Sequence, residues 1–262
     1  MTIHTKHDPG MFSWTDLATT DPNAAKEFYV ALFGWKAVDV PMGDGAVYSI
    51  CKLGEHDAAA ISAMREHPKQ LKIPPHWTCY FTVNDVDAVA AKVVPAGGKL
   101  IMPPADVMEV GRMAAVDDPV DAGAALWQPK KHAGAGITSE PGAITWCELL
   151  TRDVDASGKF WTSVLGWRTE QMKMPNDMTY TVFKVGDVAS CGMMEMPKGV
   201  PASVPSHWLP YFQVDSCDGM VKKTSELGGR VISPAMEAPG VGRFSTLMDP
   251  QGAVFAVLEP KR

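Results

Sequence analysis

Two sets of Trp, an acid, His and Tyr recur in this chain, each at strand spacing. Trp14 and Asp16 are two apart in MFSWTDLAT (11–19), and Trp146 and Glu148 are two apart in AITWCELLT (143–151). Residues i and i+2 of a strand share a face, so each indole shares its face with a carboxylate. HWTCYFTV (76–83) puts His76, Thr78 and Tyr80 on one face, against Cys79, Phe81 and Val83. HWLPYFQV (207–214) puts His207, Leu209 and Tyr211 opposite Phe212 and Val214. An imidazole and a carboxylate beside one cavity can exchange protons with a substrate. Indole and phenol rings stack on flat or apolar ligands, and a single polar group then fixes orientation. Structural uses compete with both readings. Trp fills cores, Tyr is an ordinary strand residue, and His76, directly after Pro75, and His207, two residues after Pro205, can tie down a loop.

The elements that would position these residues are organised around a repeated stretch. DPNAAKEFYVALFGW (21–35) returns as DVDASGKFWTSVLGW (153–167), an offset of 132. Each copy reads as a helix. Asp21 and Asp153 stand at the N-cap, and Pro22 occupies a first position where a missing donor costs nothing. Ala25, Phe28, Tyr29 and Leu32 form an i, i+3, i+4, i+7 stripe. Gly34 and Gly166 provide left-handed C-terminal positions. Around the first copy, strands are expected at 11–19, 36–40, 46–53 and 58–64. A second unit follows, with a strand at 76–83, a helix at 85–96 and strands at 99–105, 112–117 and 122–128. PPHWTCYFTVNDVD matches PSHWLPYFQVDSCD, and VGRMAAVDDPVDAGAALWQP matches VGRFSTLMDPQGAVFAVLEP, both at an offset of 131. The near-constant offset indicates a whole-domain duplication. The small, polar segment 130–140 is expected to link the copies, splitting the chain into 1–132 and 133–262.

A chain of 262 residues with 46% hydrophobic and 21% charged residues has the composition of a globular protein. A net charge of −6 without a basic block argues against a nucleic-acid partner. The polar start MTIHTKHDPG does not read as a signal peptide, and no apolar run reaches the length of a membrane span. Five cysteines, an odd number with no C-x-x-C pair, read as free thiols of a cytoplasmic protein.

The D-x-x-A-x-x-x-F-Y…L-F-G-W helix, the Gly97-Gly98 pair and the D-P-x-G turn near the end resemble the vicinal oxygen chelate superfamily. That group includes glyoxalase I, bleomycin-resistance proteins, extradiol dioxygenases and fosfomycin-resistance enzymes, and tandem glyoxalase-like proteins are the nearest likeness. The resemblance covers nearly the whole chain twice. It implies an α+β fold in which each half holds two βαβββ modules forming a cup, with helices outside and a ligand within. It also implies a divalent ion held by four His or Glu ligands. The positions that carry those ligands fall here at Trp14 and Trp146, near Ser62 and Gly192, near Thr78 and Leu209, and at Ala125 and Ala256. None is His, Asp, Glu or Cys, so neither a metal nor another cofactor is expected.

If Trp14 and Trp146 take the inward positions, Trp, acid, His and Tyr line each cup. The expected ligand-binding residues are Trp146, Tyr211 and Met193 in the second cup and Trp14, Asp16, His76 and Tyr80 in the first. Glu148 and His207 are the candidates for catalysis. The second cup is preferred because Glu148 reaches further than Asp16, because Gly192 and Leu209 replace Ser62 and Thr78, and because the Met cluster at 192–197 is adaptable. Trp14 and Trp146 could equally plug shrunken cups. Segments 66–75 and 198–206 could act as lids. The expected function is binding of a small organic molecule in an aromatic cup without the family metal. The alternatives are a metal-free acid–base isomerase or hydrolase, and a glyoxalase-type lyase with unusual ligands. Each chain supplies both modules, so a monomer or homodimer is expected.

Overall fold

The computed structural model describes residues 2–43, 45–64, 73–174 and 178–261. A short β1 (Thr2–Ile3) precedes β2 (Phe12–Thr19), α1 (Pro22–Phe33), β3 (Lys36–Pro41), β4 (Val47–Leu53) and β5 (His56–Ala63). The next unit is β6 (His76–Thr82), α2 (Val86–Ala90), β7 (Lys99–Val107), β8 (Gly111–Asp117) and β9 (Gly123–Pro129). After β10 (Ile137–Thr138) the plan repeats. First come β11 (Ile144–Thr151), α3 (Val154–Leu165), β12 (Arg168–Lys173), β13 (Thr179–Val185) and β14 (Val188–Glu195). Then follow β15 (His207–Gln213), α4 (Cys217–Glu226), β16 (Arg230–Val231), β17 (Met236–Ala238), β18 (Gly242–Met248) and β19 (Val254–Pro260).

The first sheet runs β3-β4-β5-β2-β6-β9-β8-β7. The second runs β12-β13-β14-β11-β15-β19-β18-β16, with β17 also on β18. In each, two modules meet along an antiparallel seam, β2 with β6 and β11 with β15. Each module closes on itself through a parallel pair: β2 with β5, β6 with β9, β11 with β14, β15 with β19. The chain is thus an α+β tandem duplication, as the repeat implies.

The long helices form as their caps dictate. Asp21 accepts from the Ala24 amide and Asp153 from the Ala156 amide. Gly34 and Gly166 end them at φ 73° and 70°, a region costly for residues with a Cβ. The apolar stripes do not simply lie outside the cups. Each helix is clamped between its own sheet and the back of the other. Phe33 packs 4.9 Å from Phe212, and Tyr29 5.4 Å from Phe255. In the reciprocal cluster Phe81 lies 4.9 Å from Trp208 and 5.0 Å from Trp167. The tryptophan after each helix donates across the boundary: Trp35 Nε1 to the Gly142 carbonyl at 2.7 Å, Trp167 Nε1 to the Gly10 carbonyl at 2.8 Å.

The aspartate of each late turn joins the halves as well. Asp249 Oδ1 accepts three amides of its own turn, while Oδ2 accepts from Tyr29 Oη of α1 at 3.1 Å. Asp118 Oδ1 likewise holds its turn, and Oδ2 accepts from Ser157 Oγ of α3 at 2.6 Å. All five cysteines are buried free thiols. No helix is long and apolar enough to cross a membrane, among the described residues.

Two local expectations change. The helix expected over 85–96 is only Val86–Ala90 in α-form. Beyond Ala90, bonds such as Val93 N–H to the Ala90 carbonyl tighten to three-residue spacing ahead of Pro95. The matching α4 has no proline and runs ten residues. The 130–140 segment is docked rather than loose: β10 pairs with β1, Ala135 donates to the Ser13 carbonyl, and Ile137 is buried. At the surface Arg112 pairs with Asp87, and Arg243 with Asp218 and Glu237. The proposed lid 66–75 lies outside the described residues through position 72.

Replacing Tyr29 by Phe removes the partner of Asp249 Oδ2 and the acceptor of Trp77 Nε1, which sits 3.1 Å from Tyr29 Oη. Two buried polar groups are left unpaired, so Tyr29→Phe is expected to lower unfolding free energy by about 2–4 kcal/mol. Urea unfolding measures it. A loss below ~0.5 kcal/mol would show that this junction contributes little.

Candidate functional site

Side chains converge on the inner face of each sheet because the sheet curves around its central seam. In the second half, Trp146 and Glu148 point from β11, Leu209 and Tyr211 from β15, Ala256 from β19 and Tyr180 from β13. Tyr180 reaches over β14 at Gly192, where a Cβ would collide with its hydroxyl. The missing side chain therefore lets Tyr180 meet β11 residues two strands away. Trp146 Nε1 donates to Tyr180 Oη at 2.9 Å, and Tyr180 bonds in turn to Glu148. Tyr211 donates to Glu148 Oε1 at 3.1 Å. One carboxylate thus anchors two phenols and, through one of them, an indole. Leu209, Tyr211 and Ala256 form an apolar cluster separate from the main core, joined by Trp146, Leu150, Phe244, Val254 and Leu258.

The first half repeats the relay. Trp14 Nε1 donates to Tyr48 Oη at 3.0 Å, Tyr48 to Asp16 Oδ2 at 3.0 Å, and Tyr80 to the same oxygen at 2.8 Å. The difference lies at the mouth. His132, from the segment after β9, packs edge-on over Trp14 with ring centroids 4.7 Å apart, and Trp127 stands beside it. Trp14 is 3% exposed, whereas Trp146 is only half-buried. Leu258 occupies in the second half the place of Trp127.

Burial dominates the electrostatics. It raises Asp16 and Glu148 above the ordinary carboxylate range, and the tyrosine hydrogen bonds pull each part of the way back. It raises Tyr48, Tyr180 and Tyr211 above the ordinary phenol range, and the adjacent carboxylate pushes the same way. These phenols are donors at neutral pH. Burial lowers His207 and His132.

The expected residues fall into three groups. Trp146, Glu148 and Tyr211 are brought together, as are Trp14, Asp16 and Tyr80. His76 and His207 share the cup faces but stand one rung further along, beside Ala18 and Leu150. Their Nδ1 atoms lie 2.9 Å from the Pro74 and Pro205 carbonyls. A carbonyl only accepts, so Nδ1 carries the proton and Nε2 is the free acceptor of the neutral ring. Met193 faces away from the cup: it is buried against α3, 3.3 Å from where a Cβ of Gly158 would stand. Strand alternation puts Met194 on the cup side instead. Gly192 pairs with Glu148 as Ala60 pairs with Asp16, so the counterpart of Ser62 is Met194. The second cup is still the less polar of the two.

Tyr48 and Tyr180 were missed in the sequence, although they stand 132 apart, as the helices do. His132 was missed because a lid from a connecting segment leaves no periodic trace. The divalent ion of the family does not fit this donor set. Among the described residues each cup offers one carboxylate, already accepting from two phenols. Among the described residues no group of three His, Cys, Asp or Glu side chains is placed to hold a metal ion.

The family model of the "Glyoxalase/Bleomycin resistance protein/Dioxygenase superfamily" matches residues 11–125 and 143–257. "Putative glyoxylase CFP32" of Mycobacterium tuberculosis is 42% identical over 261 residues, covering 99% of this chain and 98% of the relative. "Anthracycline biosynthesis protein DnrV" of Streptomyces peucetius is 36% identical over 265 residues, covering 97% and 95%. The Mn(II)-bound glyoxalase of Novosphingobium aromaticivorans shares the fold at TM-score 0.66 and 16% identity, over 96% of this chain and 82% of that one. The 2,3-dioxygenase LapB of Pseudomonas sp. KL28 does so at 0.65 and 16%, over 97% and 94%. With two family domains in tandem, each built on one sheet and one cup, the chain belongs to the glyoxalase/bleomycin resistance protein/dioxygenase superfamily.

Proposed function

We propose that this protein binds a flat, mainly apolar small molecule in its second cup, without the family metal. The observation that carries this reading is the contrast between two equivalent relays, one stoppered by His132 over Trp14 and one with Trp146 half-open. Trp146 stacks on the ligand, and its plane is held by the bond from Nε1 to Tyr180. Glu148 accepts from the polar edge of the ligand, and Leu209, Phe244 and Leu258 supply the apolar wall. The name of the Streptomyces relative supports a flat ligand, because anthracyclines are fused-ring aromatics. The buried thiols and net acidity fit a cytoplasmic monomer or homodimer, with residues 1–132 and 133–262 as its two units and no nucleic-acid or membrane partner.

A second reading rests on Glu148 itself. A carboxyl raised by burial and held by two phenols is suited to moving a proton. His207, with Nε2 as acceptor, would be its partner at the rim. This acid–base enzyme would use the same cup.

Fluorescence quenching by 1,8-dihydroxyanthraquinone tests the site. Trp146→Ala and Glu148→Gln are each expected to weaken binding about tenfold or more, the worth of ~1.4 kcal/mol. Trp14→Ala and Asp16→Asn should change it by less than about twofold, or ~0.4 kcal/mol. Unchanged affinity in folded second-cup variants would return Trp146 to the role of core filler.

A chelator should leave the melting temperature where it was, since a bound ion would stabilise the native state by mass action. A drop in Tm with EDTA, matched by stoichiometric metal in elemental analysis, would contradict the metal-free reading.

Glu148 also makes stability depend on pH. Its folded pKa lies above its unfolded value, so the native state binds the extra proton between the two. Stability therefore falls as pH rises from the ordinary carboxylate range through the raised value. Glu148→Gln removes that slope, so the variant should gain stability relative to the native protein as pH rises through this window. Parallel pH–Tm curves for the two proteins would contradict burial of an ionising Glu148.

A further inference from the structure

The two halves differ on the helix-facing side of their outer strands, away from both cups. In the first half, Lys26 of α1 bonds both oxygens of Asp39 at 3.1 Å, and Ser49 donates to Asp39 at 2.6 Å. Asp39, Ser49 and Ile61 stand in register across β3, β4 and β5. Their counterparts Gln171, Thr181 and Met193 stand in the same register across β12, β13 and β14. The counterpart of Lys26 is Gly158. The long side chain is gone, and a cavity of about 210 Å³ opens there, lined by these four residues together with Asp155 and Lys159. Thr181 is 1% exposed, and its Oγ1 has no hydrogen-bond partner among the described residues. A buried hydroxyl without a partner costs on the order of 1–3 kcal/mol, so it calls for a guest.

We propose that this groove is a second binding site, separate from the cups, for a small neutral polyol or monosaccharide. The volume holds roughly seven waters at ~30 Å³ each, the scale of one such molecule. Lys159 and Asp155 are both exposed and cancel in charge, so the rim does not select an ion. Thr181 and Gln171 provide donors and acceptors for hydroxyl groups. Met193 provides an apolar surface for the C–H face of a sugar. Gly158 is the residue that keeps the space open, and the first half shows the same architecture filled.

Titration of the ¹⁵N-labelled protein with D-glucose, with D-gluconate as the charged control, tests this. The amides of Gly158, Gln171 and Thr181 are expected to shift saturably with glucose and not with gluconate, while those of Lys26, Asp39 and Ser49 stay still. The double variant Gly158→Lys/Gln171→Asp, which copies the first-half network, should abolish the shifts. Thr181→Val keeps the shape and removes the hydroxyl, so it should weaken binding at least severalfold even if the double variant does not fold. Absence of saturation, equal shifts in both halves, stronger binding of gluconate, or undiminished binding by Thr181→Val would each overturn the proposal.

Discussion

The reciprocal clasp between the halves is the constraint on which the rest depends. Trp35 donates to Gly142 and Trp167 to Gly10, so each half completes a buried indole of the other. The Trp161 and Trp208 indole N–H groups of the same cluster have no partner among the described residues, so ring packing and these two hydrogen bonds act together. The clasp therefore fixes α1 and α3 between the backs of the sheets. With β6 against β15 at the centre, both outer faces are used up in this contact. The concave faces must then open on opposite sides, which is why one chain presents two separate cups and not one shared cleft.

Duplication under this constraint leaves the buried junction similar and lets the free faces diverge. The junction still shows the divergence in chemistry: Tyr29 meets Asp249 in one direction, while Ser157 meets Asp118 in the other, where the residue matching Tyr29 is Trp161. Both cups keep the Trp–Tyr–acid–Tyr relay, yet only the first is covered by His132. Along the outer strands the sense is the same: the first half is filled by Lys26 and the second is open at Gly158. The first half is thus closed on both faces of its sheet, and the second half is open on both.

Much of this was legible in the residues. Capping aspartates and αL glycines set the long helices, and the offset of 132 set the duplication. Alternation placed Tyr80 and Asp16, and Tyr211 and Glu148, on shared faces. What was not legible depended on curvature and register. Alternation tells which side Tyr180 takes but not that its strand bends far enough over Gly192 to reach Trp146. A shift of one residue separates Met193, against α3, from Met194 on the cup side. Pro95 shortens α2 in a pattern that otherwise reads as a full helix. The lid over Trp14 comes from a segment whose composition suggested only a tether.

On the proposed function, the half-open Trp146, and not the covered Trp14, meets the ligand. The indole N–H signals of the two tryptophans report on this directly in a ¹H–¹⁵N spectrum, with Trp146→Phe and Trp14→Phe used for assignment. On titration with 1,8-dihydroxyanthraquinone, the Trp146 signal should move saturably while the Trp14 signal stays in place. Movement of Trp14 alone, or a Trp146 signal that does not respond while binding is seen calorimetrically, would contradict the account.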